Sequence, residues 1–316
     1  MFKVLQISTG YTDGSVEQQL IEAAGGAYRL ISSEVDADII SMGQDADVLL
    51  VALTVVSENV IRSLKNLKLI VRAGIGVDNI DLKAAKACGV HVCNLPTYCH
   101  DEVADHTVAL LMALERQLFL QVNDMRTGEW KPVKDYRPIH GLQDAVVGFI
   151  GCGGIAQKVM ARLAPFGVRF VGYDPYLPEE RAAAHGLTLL SLEEVLRQAD
   201  YVTLHVPLTP DTHGILNADT LALMKPTACV LNTARGPLID NDALFAALSN
   251  GKLRGAGLDV IDGELAGAKR FVGFPNVLIT PHTAYYSERS DWNIRAQAGD
   301  LIADYIRSGA LKNVIV

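Results

Sequence analysis

The feature that most constrains this chain lies near its middle, in Val146-Val147-Gly148-Phe149-Ile150-Gly151-Cys152-Gly153-Gly154-Ile155-Ala156-Gln157. An apolar, β-branched run predicts a buried parallel strand, and it ends in Gly-x-Gly-x-x-Ala. The residues that follow have helical periodicity, with Ile155, Val159, Met160, Leu163 and Phe166 on one face. Strand, glycine turn and helix in that order are what a dinucleotide site needs. Gly151 permits the tight turn, and Gly153 and Gly154 let backbone N–H groups approach a pyrophosphate at the helix N-terminus with Ile155 behind them. Small Ala156 lets the helix pack on the strand.

The next apolar run, Val168 to Tyr173, ends at Asp174, about 20 residues beyond the second glycine, where a carboxylate accepts from ribose hydroxyls. The same charge repels a 2′-phosphate, and Pro175 and Tyr176 bring no compensating cation. NAD rather than NADP is the expected cofactor.

A chain of 316 residues has room for two domains with separate cores. A net charge of −8 without Lys/Arg-rich runs excludes a nucleic-acid footprint in the linear sequence. No apolar run approaches the ~18 residues of a membrane helix, and the N-terminus reads as a short strand rather than a signal peptide, so a cytoplasmic protein is expected. The five cysteines have no metal-ligand spacing and no metal is expected; most sit in apolar strands as small hydrophobes.

The first hundred residues alternate strands (Lys3–Ile7, Val48–Val51, Leu67–Ala73, Val90–Cys93) with helices (Val16–Ala24, Asn59–Leu64, Leu82–Cys88), which predicts an α/β unit with a parallel sheet. Its loop Arg72 to Asn79 is either a plain turn or a set of glycine N–H groups for an anion. Residues 97–101 read as a hinge, with Asp101 capping a helix over 102–120. The excursion from there through Gln121–Leu142 predicts an oligomer arm. After Asp174 the alternation continues, with strands at Tyr201–His205, Cys229–Asn232, Gly255–Val260 and Val277–Ile279. Helices are expected at Leu192–Leu196, Thr220–Met224, Asn241–Leu248 and Arg289–Arg307.

Ligands of parallel sheets collect at strand carboxyl ends. Arg235, Glu264 and His282 lie there and suit reduction of a 2-oxo acid. Arg binds a carboxylate in two-pronged geometry, His carries a proton near neutral pH, and a neighbouring Glu holds the imidazole. His91, His140, His185 and His213 read as structural, while His100 and His106 flank the hinge helix without an assigned role. Tyr98, Cys99 and Tyr285 are candidate pocket walls.

These motifs resemble the D-isomer-specific 2-hydroxyacid dehydrogenase family over nearly the whole chain. The matching stretches are Arg-Ala-Gly-Ile-Gly-Val-Asp-Asn-Ile-Asp (72–81), the fingerprint (148–156) and Pro-Leu-Thr-Pro-Asp-Thr (207–212). Leu-Asn-Thr-Ala-Arg-Gly (231–236), Gly-Leu-Asp-Val (257–260) and Thr-Pro-His (280–282) follow in the family's order. Tyr-Asp-Pro-Tyr-Leu (173–177), Cys-Asn-Leu-Pro (93–96) and residues 281–288 are similar to the C-terminal-binding-protein-like and phosphoglycerate-dehydrogenase-like branch.

The resemblance implies two doubly wound parallel-sheet domains. One is a Rossmann NAD-binding domain over 101–288, the other a flavodoxin-like, discontinuous substrate domain of 1–100 plus 289–316. It implies an NAD-dependent oxidoreductase interconverting a D-2-hydroxy acid and its 2-oxo acid, and a homodimer. Arg235 would bind substrate, Glu264 would pair with His282, and His282 would donate the proton. Ala234 and Asp259 would meet the nicotinamide, and Thr107, His205, Pro207 and Thr212 would border the cofactor. Main-chain groups of Ile75 and Gly76 would hold the substrate carboxylate, with Tyr98 and Tyr285 beside it.

Three positions depart from the pattern: Ala52 stands where relatives often carry Arg or His, Gly154 where a larger polar residue is common, and Leu265 where Pro is common. The same resemblance admits a protein of another class, an NADH-responsive binding protein with little turnover. A dehydrogenase of formate or phosphite would want further polar groups that the sequence does not display.

Overall fold

Two parallel sheets carry the fold of the computed structural model, which describes residues 1–7, 13–136 and 138–316. The chain divides into one unit made of Met1–Cys99 with Ser287–Val316 and a second made of His100–Tyr286. The crossings fall one and two residues before the positions expected from sequence.

The first unit begins β1 (Lys3–Ile7), α1 (Ser15–Ala23), β2 (Ala27–Ile31), α2 (Asp36–Gly43) and β3 (Val48–Val51). It continues through α3 (Glu58–Ser63), β4 (Leu69–Arg72), α4 (Leu82–Cys88) and β5 (His91–Asn94). The strand order is β2-β1-β3-β4-β5, so the winding reverses between β1 and β3. Every residue of β3 (Val-Leu-Leu-Val) and β4 (Leu-Ile-Val-Arg) is buried, as strands covered on both faces require. Asp81 caps α4 through the Ala84 N–H, and Gly89, at φ 69°, ends it. β2 and α2 escaped the sequence reading because neither carries a clean apolar period. Of Ala-Tyr-Arg-Leu-Ile only Ile31 is buried, and α2 buries only Ile39 and Gly43.

The second unit opens with α5 (His100–Glu115) and α6 (Leu118–Arg126), then β6 (Val146–Ile150), α7 (Gly154–Leu163) and β7 (Arg169–Tyr173). α8 (Glu179–Ala183), β8 (Leu187–Leu189), α9 (Leu192–Gln198), β9 (Tyr201–Leu204), α10 (Ala218–Ala222) and β10 (Cys229–Asn232) follow. The unit ends with α11 (Asn241–Ser249), β11 (Gly255–Leu258), α12 (Glu264–Ala268) and β12 (Val277–Ile279). α13 (Glu288–Ser308) then returns to the first unit and packs along α1, where Gly299 approaches Leu20. The second sheet runs β12-β11-β10-β9-β6-β7-β8, all parallel, with its switch point between β6 and β9. The second sheet is a Rossmann arrangement and the first a flavodoxin-like one, and the α/β class is as the sequence implies.

Three local expectations need correction. Asp101 is not the cap of α5 but lies in its first turn, where it pairs with Lys158 and Arg162 of α7. The helix expected over 102–120 is broken, because Gln117 adopts φ 50° and α6 starts afresh. Phe166 leaves the inward face of α7 for an exposed 3-10 turn, and Ala156, Val159, Met160 and Leu163 form that face. Within Gln121–Leu142, Arg137 lies outside the described residues.

Candidate active site

The carboxyl ends of the second sheet line up in the order of the strands. β12 leads to His282, β11 to Asp259, β10 to Arg235, β9 to His205, β6 to the glycine turn and β7 to Asp174. Neighbouring strands lie about 4.8 Å apart, so this rim carries His282 at one end and Asp174 towards the other.

The glycine turn fits a dinucleotide. Gly151 adopts φ 84°, and a Cβ on it would lie 2.8 Å from the His205 carbonyl carbon and oxygen. A Cβ on Gly153 would meet nothing within 4 Å, so the backbone there stands open to a ligand. Gly153 is the extended N-cap of α7, Gly154 its first helical residue, and half-buried Ile155 follows. Asp174 is half-buried; its Oδ2 accepts from the Cys152 N–H at 2.9 Å and its Oδ1 from the Tyr176 N–H at 2.9 Å. The acid is thus pinned to the turn.

Asn232, fully buried at the end of β10, builds the arginine loop. Its Nδ2 donates to the Arg235 carbonyl at 2.8 Å, and its Oδ1 accepts from the Ala234 N–H at 3.0 Å. Gly236 follows because any Cβ there would lie 2.3 Å from the Ile261 carbonyl carbon. Arg235 is half-buried, with Nη1 donating to the Ala234 carbonyl at 2.7 Å.

Asp259 is 2% exposed and organises the histidine loop. Its Oδ1 accepts from Thr280 Oγ1 at 2.6 Å and the Thr283 N–H at 2.9 Å, and its Oδ2 from the Ala284 N–H at 2.9 Å. His106 of α5 completes the cluster, its Nε2 2.9 Å from Thr280 Oγ1 and 3.6 Å from Asp259 Oδ1. His282 itself adopts φ 53°, donates its N–H to the Asp259 carbonyl at 2.8 Å and stands edge-on to Tyr285 with centroids 6.0 Å apart. Asp259 therefore holds the histidine loop in place.

Glu264 is exposed at the head of α12, at φ 46°. Thr107 is fully buried, its hydroxyl donating to the Val103 carbonyl at 2.8 Å and lying 2.9 Å from Thr233 Oγ1. That places it behind the arginine loop. His205 lies against Phe149 with Nε2 3.0 Å from Thr203 Oγ1. The Thr212 hydroxyl donates to the Pro207 carbonyl at 2.7 Å, which closes the turn after β9.

In the first unit, the loop after β4 is held from behind. Arg72 Nη1 donates to the Ala73 carbonyl at 3.0 Å, and Asn94 Nδ2 to the Ile75 carbonyl at 2.6 Å. Gly74 adopts φ 146°, which strains any side chain, and a Cβ there would also displace the Arg72 guanidinium. Ile75 and Gly76 are half-exposed, and Tyr98 is buried. Asn79 fixes the loop after β3, donating to the carbonyls of Ala52 at 3.2 Å and Thr54 at 2.8 Å.

Sequence reasoning missed His106, Asn232 and Thr233. The signal for Asn232 was its place at a strand end directly before Thr-Ala-Arg. His106 and Thr280 are 174 residues apart, and no local pattern links them.

Residues 108–284, more than half of the chain, match the model of the NAD binding domain of D-isomer specific 2-hydroxyacid dehydrogenases. The chain belongs to this family. It is 39% identical over 284 residues to a D-3-phosphoglycerate dehydrogenase of Methanocaldococcus jannaschii, a match covering 89% of this chain and 53% of the relative. It is 33% identical to a glycerate dehydrogenase of Methylorubrum extorquens, with 88% of each covered. Among solved structures, an acyclic imino acid reductase in complex with NADPH and D-Arg superposes with a TM-score of 0.90 at 27% identity, with all of both chains covered. The chain spans about half the length of the phosphoglycerate dehydrogenases it matches.

Proposed function

We propose that this 2-hydroxyacid dehydrogenase family member interconverts a D-2-hydroxy acid and its 2-oxo acid, with NAD(H) preferred over NADP(H). The observation that carries the reading is the ordered rim of the second sheet, with His282, Arg235, the glycine turn and Asp174 on successive strand ends. When bound, the nicotinamide cofactor supplies or accepts the hydride.

Arg235 binds the substrate carboxylate and polarises the carbonyl. Protonated His282 gives its proton to the carbonyl oxygen during reduction and takes it back as neutral imidazole during oxidation. Glu264 turns toward His282 and favours its charged form. The left-handed backbone at both residues supports a functional role, since such conformations persist where the surroundings hold them. Ala234 and Asp259 frame the nicotinamide, with His205, Pro207 and Thr212 along the cofactor. The proposal extends to the Ile75–Gly76 backbone, Tyr98 and Tyr285 as substrate-contacting groups.

The partner protein is a second copy of the chain. α6 displays Leu118, Phe119, Val122 and Met125, all about half exposed, at helical spacing on one face. Among the described residues no helix is long and apolar enough to cross a membrane. The cysteines form no described disulfide, which suits a reducing, cytoplasmic setting.

One observation favours a second reading, an NADH-responsive binding protein: Glu264 stands exposed at the head of α12. A single experiment separates the two. NADH oxidation is followed against 2-oxo acids graded in size and charge, with NADPH in parallel, for the wild type and His282→Ala. Turnover that falls about 100-fold or more in the variant, with NADH binding kept, supports the dehydrogenase. Tight NADH binding without turnover on any acid favours the binding protein.

A further inference from the structure

The two glycines that open α7 face different surroundings. A Cβ on Gly153 would meet nothing within 4 Å, but a Cβ on Gly154 would lie 2.6 Å from Cε1 and 2.9 Å from Nδ1 of His100. The imidazole occupies the place where a side chain at 154 would begin. His100 is half-buried and Gly154 is exposed, so the ring stands beside the glycine and both remain open to solvent.

The ring is held by regular structure rather than by a loop. His100 is the first residue of α5, and α5 lies along α7. Asp101 stands 2.8 Å from Lys158 Nζ and 3.0 Å from the Arg162 guanidinium, which also bonds Asp105. Sites built on helices are placed more precisely than sites on loops.

The N-terminus of α7 offers backbone N–H groups and about half a positive charge to a dinucleotide's phosphates. Two phosphates carry more charge than that end neutralises, and neither Gly153 nor Gly154 contributes a side chain. Lys158 and Arg162 are engaged by Asp101 and Asp105. An imidazole carries a ring N–H donor in either tautomer.

We infer that His100 is a diphosphate-contacting residue of the nucleotide site, its ring N–H donating to a phosphate oxygen in place of a side chain at 154. The pair Gly154 and His100 is then one device: the glycine makes room for the ring, and the ring does the binding. This rests on the family's nucleotide site and not on the identity of the 2-oxo acid.

The test is binding rather than turnover. Dissociation constants for NADH, ADP-ribose and adenosine are measured on the full chain by titration calorimetry, or by competition with NADH fluorescence. His100→Ala is expected to weaken NADH and ADP-ribose about tenfold or more and to leave adenosine unchanged. His100→Gln, which keeps an N–H donor, recovers part of the loss. Gly154→Ala, which pushes the ring aside, weakens ADP-ribose in the wild-type background and adds little to His100→Ala. The inference is overturned if His100→Ala binds ADP-ribose as the wild type does, or loses adenosine and ADP-ribose equally. Should His100→Ala prove poorly folded by its melting temperature, the Gln and Gly154→Ala variants decide by the same comparison.

Discussion

At the scale of single residues, His205 shows how a strand end disposes of an ionisable group. Its ring lies 6.1 Å from Phe149, centroid to centroid, and burial pushes its pKa down from 6.5 to about 3. The imidazole is therefore neutral in the folded protein at ordinary pH. The unfolded chain binds a proton as pH falls through 6.5, and the folded chain does not until about 3. Acidification across that window favours unfolding, so this contribution to stability is present above 6.5 and lost toward 3. His205→Gln is expected to flatten the dependence of melting temperature on pH in that range, measured by thermal scans. An unchanged slope would mean that the ring is protonated in the fold. Arg235, His282 and Asp174 are legible in the sequence because each follows an apolar run that can only be a strand. What is not legible is how the loops are held. The three hydrogen bonds to Asp259 and the reach of His106 to Thr280 arise from packing between distant segments.

At the scale of elements, the end of α5 is tied to the sheet by a buried ionic cluster. Arg254 Nη1 lies 2.7 Å from Glu115 Oε2 and its Nη2 2.8 Å from Tyr201 Oη, while Tyr201 Oη also bonds Glu115. Glu115 is fully buried, and burial together with the Glu115 carboxylate pushes the Tyr201 hydroxyl well above its usual value. Removing the carboxylate strands the Arg254 charge, which in buried pairs costs about 3–5 kcal/mol. Glu115→Ala should lose stability on that scale in urea denaturation, and a loss below about 1 kcal/mol would show that water reaches the guanidinium. α5 ends at Glu115, and the left-handed Gln117, at φ 50°, keeps it from running on to 120. Glu115 opens the polar run Glu115-Arg116-Gln117, and only its partners, Tyr201 on β9 and Arg254 just before β11, reveal it as an anchor. Element boundaries elsewhere follow local chemistry, as in α4 with its Asp81 cap and closing Gly89, and these are readable from sequence.

At the scale of the whole molecule, the expected self-association depends on the apolar face of α6. Phe119→Glu combined with Val122→Lys puts charge into that face and should yield monomers where the wild type sediments as a dimer, with the glycine turn still able to bind NADH. A wild type that is monomeric at micromolar concentration would remove the proposal. The discontinuity of the first unit has a separate consequence for biosynthesis. Residues 1–99 leave the ribosome well before α13, and before Ile315, whose N–H donates to the Val92 carbonyl. At some 5–20 residues per second, the whole second unit is made in between and can fold on its own contacts. For that interval the nascent first unit holds α1 without the helix that covers it, and β5 without its last backbone partner. Residues 1–99 are thus made before the second unit, and their fold is completed only after it.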